Sequence, residues 1–542
     1  MPTNDTVNFY ANDPAARGAK RAIQVPVPLP SRPGFDIQGW MGTGGLHHPG
    51  TPEFDAGQLY VALTRTVKVW EAFFARDFDV WQVTGGSLQV IPRAGQDLNA
   101  YYDRQSLRFF YDANPRTGET VYTCESLEVA AHETGHAILD EYHPEYWDSL
   151  LPETAAFHEA FSDCSAILTT LAEPSIRTAM LKQTRGNLSR SNLVSRLAEQ
   201  MGRALHDTHG REVSYRSSLR NAVNRFKYQR PETLPWRAPI SKLSSESHNF
   251  SRIFTGAFYD LLAAIYSQLR AGGLDADEAL VKARDDAGKL LARGVELAPA
   301  GEATFKVIAI AMLKADVQDF NGQYHQALHD IFVKRRILTA DEADTVRGLV
   351  KPGEMLVRSG GGKGIQPLKP MRRRRGIAEL SARRIQSELG LPEEVELKLE
   401  RSYTRAGKER VIQLTHSREV VLEGPEYGRA SGAVVELRGG ASVHLTSRGM
   451  VTASHYREPE AEEVTSIQDH VKRLVARKRI YFTEPGEPLK IEHLMDVKRP
   501  YYTAQDEAGK LRIKRAFIAG AVLLSSMRKQ GETLERPLRE AD

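Results

Sequence analysis

The pentapeptide His132-Glu133-Thr134-Gly135-His136 constrains this chain of 542 residues more than any other feature. It lies in the run LEVAAHETGHAILDEY, where apolar residues recur at helical spacing behind Ser126, a residue type that opens helices. Residues four apart on a helix share a face. Both imidazoles can therefore address one metal ion, with Glu133 beside the ion's open coordination position. A catalytic zinc also needs a third protein ligand. The next predicted helix offers one in Phe157-His158-Glu159-Ala160-Phe161-Ser162-Asp163, where Glu159 is the natural choice. The stretch between His136 and Glu159 is long enough for one helix to end, a loop to turn and a second helix to return a carboxylate. Asp163, one turn beyond Glu159, can accept a hydrogen bond from the distal nitrogen of a ligand histidine and so fix its tautomer.

HETGH followed by HEAFSD resembles the thermolysin-like gluzincin zinc metallopeptidases. The resemblance spans roughly residues 56–340 by motif order and implies a two-lobed fold. In that fold a mixed sheet with helices comes first and a helical lobe second. It implies one catalytic Zn2+ held by His132, His136 and Glu159, with Glu133 as general base and acid. Asn99 and Ala100, in Asn99-Ala100-Tyr101-Tyr102-Asp103, resemble the edge-strand segment that holds substrate as an added strand. His248, in Ser247-His248-Asn249-Phe250, resembles the histidine that hydrogen-bonds the transition-state oxyanion. Arg220 resembles the arginine on a substrate carbonyl. Tyr146 is the candidate for an assisting tyrosine, with Tyr142 and Trp147 as alternatives. The family's usual aspartate ahead of the oxyanion histidine is replaced here by Leu-Ser-Ser-Glu-Ser, so Glu246 either substitutes or the role is unfilled. Calcium is not expected, because no dense acidic cluster follows Asp163.

The fold class expected is α+β. Residues 1–55 are rich in Pro and Gly (VPVPLPSRPG, GTGGLHHPG) and read as extended chain wrapping a neighbouring body. Residues 56–350 hold the peptidase-like body: a helix over 56–75, a strand in SLQVIP, two more strands around Asn99, then helices to the end. A Gly/Arg-rich linker is expected over 351–376, from SGGGKG to Arg372–Arg375. Beyond it, residues 377–542 read as a β-rich unit with one helix, EEVTSIQDHVKRLVARKR.

The remaining features narrow the setting. Two cysteines, Cys124 and Cys164, exclude a disulfide framework and read as buried inert thiols. The net charge is +4, and the positive excess gathered in residues 351–542 is too thinly spread to make nucleic acid the expected partner. His47 and His48 are adjacent rather than four apart and read as surface histidines. The longest apolar stretch, Ala516 to Leu524, is too short to span a bilayer. The N-terminus lacks the basic start and apolar run of a signal peptide. The expectation is a soluble protein, either cytoplasmic or exported by a non-classical or dedicated route. Its partner is a peptide or protein substrate, with a possible protein partner for the C-terminal unit. Two rival readings are an effector-like peptidase that cuts one specific protein, and a binding protein on a vestigial peptidase scaffold.

Overall fold

The computed structural model describes residues 6–16, 22–27, 34–349 (except 79), 397–405, 409–447, 451–482, 502–507 and 509–515. The fold is α+β. The expected linker over 351–376 and the apolar run from Ala516 lie outside the described residues.

A four-stranded sheet in the order Phe35–Ile37, Leu88–Ile91, Ser106–Phe109, Ala100–Tyr102 begins the body. The first three strands run parallel and Ala100–Tyr102 closes one edge antiparallel. Its first strand comes from the opening Pro/Gly-rich residues, which are thereby woven into the body. A hairpin of Thr6–Phe9 and Ile23–Pro26 also comes from this stretch.

The first long helix runs Pro52–Phe74, starting earlier than its apolar periodicity announces, because Thr51 caps Phe54 N and Pro52 occupies the first turn. Its Trp70 stacks on Phe161 at 4.3 Å and its Phe74 on Tyr142 at 3.8 Å. This helix therefore backs the next two, Leu127–Tyr142 and Pro152–Thr170. Ser126 caps the former through Val129 N, as its residue type predicts. The helices Arg252–Ala271, Ala276–Leu297, Phe305–Phe320 and His325–Lys334 follow and share one apolar core with the sheet. Two shorter helices, Pro174–Thr184 and Glu199–His209, are rich in polar residues and do not stand out in the sequence.

The C-terminal residues form a seven-stranded sheet around a long antiparallel pair, Glu409–Val421 with Val434–Thr446, and carry the helix Ala461–Ala476. This sheet is packed on the body. Tyr403, Val411 and Ala453 belong to the body's own core, while Leu150 and Leu151 of the body sit in the apolar cluster of the C-terminal unit. The two main chains approach closely at residues 300–302. A Cβ on Gly301 would lie 2.6 Å from Arg438 O, and one on Gly440 2.6 Å from Ala300 O. Only glycine on both sides lets the two main chains meet, which allows Glu302 N to donate to Arg438 O at 3.1 Å.

Candidate metal centre

The two helices that carry the motifs touch through Gly135. A Cβ there would lie 2.9 Å from Ser162 Cα, so the glycine inside HETGH is what lets the second helix come close enough to deliver Glu159. His132, His136 and Glu159 then present ligand atoms all within 4.8 Å of one another. His132 Nε2 stands 3.4 Å from Glu159 Oε2, and His136 Nε2 3.7 Å from Glu159 Oε1. The two imidazole planes are nearly perpendicular. Glu133, next along the helix, is fully buried.

Each ligand imidazole is held from behind. His132 Nδ1 lies 3.1 Å from Asp163 Oδ1. Asp163 is gripped by Arg220 through Nε at 3.0 Å and Nη2 at 2.7 Å, and Thr255 Oγ1 donates to its other oxygen at 3.3 Å. His136 Nδ1 meets His158 Nδ1 at 2.7 Å. Such a contact needs one donor and one acceptor, so when His136 uses Nε2 as a ligand its Nδ1–H donates and His158 accepts.

Charge follows the same pattern. Burial opposes a charged His132, but its bonds to Asp163 and Glu159 outweigh that and lift it to about 9. Burial likewise disfavours an ionised Asp163, yet the Arg220 and His132 charges bring it down to about 2. His136, buried among cationic neighbours, is pushed well below the ordinary histidine range. His248 Nε2 stands 3.4 Å from Glu159 Oε1, and its Nδ1 lies 2.5 Å from Glu246 Oε1. Burial works against its charge, but Glu159 and Glu246 raise it to about 10. Glu246, the carboxylate of the Leu-Ser-Ser-Glu-Ser segment, thus lies against the His248 ring, and it also caps the short Ser247–Phe250 helix through Asn249 N.

The other sequence candidates fall as follows. Asn99 and Ala100 lie just before and within Ala100–Tyr102, the terminal strand of the sheet among the described residues. Arg220 is buried, and its Nε and Nη2 are committed to Asp163 rather than projecting from a surface. Tyr146 does not join the cluster: its ring stacks flat on His143 at 4.4 Å, and His143 is itself anchored to Val295 O, so the side chain is turned into the core. Tyr142 is likewise taken, by Phe74 and Tyr403. Trp147, the remaining alternative, packs at 6.3 Å from His158 and so approaches the cluster from behind. His158 escapes sequence reasoning as a partner of His136, since its only signal is adjacency to Glu159.

His132 Nε2, His136 Nε2 and both Glu159 carboxylate oxygens are buried and, apart from their approach to one another and to His248, make no hydrogen bond among the described residues. Buried polar atoms without partners are costly. Two imidazole nitrogens and a carboxylate converging in this way fit a zinc ion, whose preferred ligands these are. No protein-family profile and no curated protein sequence matches this chain. Among solved structures, the precursor of protealysin, a metalloproteinase from Serratia proteamaculans, aligns with 61% of this chain and 87% of its own. The identity is 14% and the TM-score 0.37, a likeness too slight to build on. No helix among the described residues is long and apolar enough to cross a membrane.

Proposed function

We propose that this chain is a zinc-dependent endopeptidase in which His132, His136 and Glu159 hold the metal and Glu133 moves the proton. The observation that carries the reading is the convergence of three buried, otherwise unbonded ligand atoms within 4.8 Å, immediately beside a buried glutamate. When bound, zinc supplies Lewis acidity and lowers the pKa of a coordinated water toward about 7.

The chain's own residues do the rest. Glu133 takes the proton of the attacking water and later returns it to the leaving amine. His248, oriented by Glu246, donates to the oxyanion, a contribution on the order of 3 kcal/mol for one such donor. Asp163 and His158 orient the two ligand imidazoles, and Arg220 holds Asp163 and is the arginine assigned to a substrate carbonyl. Ala100–Tyr102, terminal in its sheet among the described residues, is the strand beside which an extended peptide would add, next to Asn99.

Metal analysis beside peptide hydrolysis tests the ligand set. Wild type should carry one zinc per chain, and Glu159→Ala should lose it together with turnover. Equal zinc in both proteins would remove Glu159 from the ligand set.

A further inference from the structure

We infer that the C-terminal unit positions the oxyanion histidine, with Arg473 as the positioning residue. This rests on the peptidase reading above. The helix Ala461–Ala476 and the residue just past its end place His470, Arg473 and Arg477 at intervals of three and four, on one face. That face meets the loop over 231–245, which leads directly into Glu246 and His248.

Arg473 grips this loop at both ends. Its Nη1 donates to Leu234 O at 2.6 Å and reaches Ser245 Oγ at 3.5 Å, while Nη2 donates to Glu232 O. Between these points Trp236 is held by the stack of His470 at 5.6 Å and by the Arg477 guanidinium at 5.5 Å. His470 is fixed in turn by the Tyr502 hydroxyl at 2.9 Å. The loop closes on itself where Ser245 N donates to Pro235 O at 2.9 Å, so the arginine holds the base of a closed loop.

From that base the path to the reacting region is short. Ser244 N donates to Asn249 Oδ1 at 2.9 Å, which ties the loop to the Ser247–Phe250 turn. Glu246, one residue beyond Ser245, sets the His248 ring, and His248 reaches Glu159. Arg252 holds the same loop from inside, through Ile240 O at 2.5 Å and Lys242 O at 2.8 Å. Arg252 belongs to the body, whereas Arg473 comes from a different unit. The body alone would therefore have its ligand set but an oxyanion donor supported on one side only.

The test is a double-mutant cycle in the full-length chain. Arg473→Ala should keep stoichiometric zinc and lower kcat about tenfold with KM within about twofold, since a misplaced donor loses part of the 100-fold or so that one oxyanion contact supplies. In a His248→Ala background the same substitution should change kcat less than about twofold, because its effect runs through the missing histidine. Arg473→Lys should recover part of the loss. Equal losses in both backgrounds, or none in the wild-type background, overturn the proposal.

Amide hydrogen exchange separates this outcome from failure of the peptidase reading. Whether or not peptides are cleaved, Arg473→Ala should speed exchange over 232–249 about tenfold and leave the Leu127–Tyr142 helix unchanged. Unaltered exchange in the loop refutes the positioning role independently of activity. A wild type that holds zinc but cleaves nothing refutes the peptidase reading instead.

Discussion

Replacing Gly135 by alanine tests how the metal site is assembled, because the added methyl group has nowhere to go. Its carbon would lie 2.6 Å from Ser165 Oγ, 2.9 Å from Ser162 Cα and 3.0 Å from Ser165 Cβ. Carbon atoms pack at about 3.5–4.0 Å, so the two helices must part by roughly 0.5–1 Å. Ser162 Cα is backbone and cannot swing aside as a flexible side chain would. Glu159 lies one turn before Ser162 and moves with it, whereas zinc–ligand distances tolerate only about 0.2 Å.

Overpacking of this kind costs about 1–3 kcal/mol, and alanine's better helix propensity returns up to about 1 kcal/mol. A remainder of about 1–2 kcal/mol falling on the zinc-bound state weakens zinc binding about 5–30-fold. Competition against a chromophoric chelator at fixed pH measures this, with circular dichroism as the check that both helices persist. A Gly135→Ala protein with wild-type zinc affinity would refute the claim that helix approach at this glycine sets the ligand geometry.

Two predictions concern protons. Asp163 and Glu246 are both held near 2, against ordinary values of 3.8 and 4.5. A depressed carboxyl stabilises the fold above its unfolded pKa and loses that contribution as pH falls through the folded one. The metal-free protein should therefore lose stability between pH about 4.5 and 2, by about 2 kcal/mol for Asp163, and urea unfolding of Asp163→Asn should lack that part of the slope. In the metal-free protein at pH 7.5 His132 carries a proton, being raised to about 9, and zinc must displace it. Calorimetric titration in two buffers of different ionisation enthalpy should show more than one proton released per zinc, one from His132 and the remainder from the coordinated water, and a release below one would contradict the charge state described for His132.

The legible part of the site was local. HETGH and HEAFSD each lie within one helix, so helical periodicity brings their side chains to one face without knowledge of the fold. The order of segments then placed Glu159, Asp163 and His248 together. What escaped depended on packing between distant segments. His158 gains its meaning only when the Pro152–Thr170 helix crosses the Leu127–Tyr142 helix, and Tyr146 is claimed by His143, whose orientation is set by Val295 O. Arg220 has no periodic signal among its neighbouring arginines and is reached in the sequence by resemblance alone, whereas its ion pair to Asp163 is visible only in the fold. The C-terminal strands and helix could be read from alternation and helical spacing. Their seating against the 231–245 loop could not, since no local pattern encodes which face of a sheet finds a partner.

The most direct measurement for the proposed chemistry pairs zinc content with peptide turnover in wild type and Glu133→Gln. The three ligands survive that substitution and the proton carrier does not. The account predicts one zinc per chain in both proteins, with hydrolysis in the wild type and a loss of at least about 100-fold in kcat in the variant. Undiminished hydrolysis by zinc-loaded Glu133→Gln would contradict it.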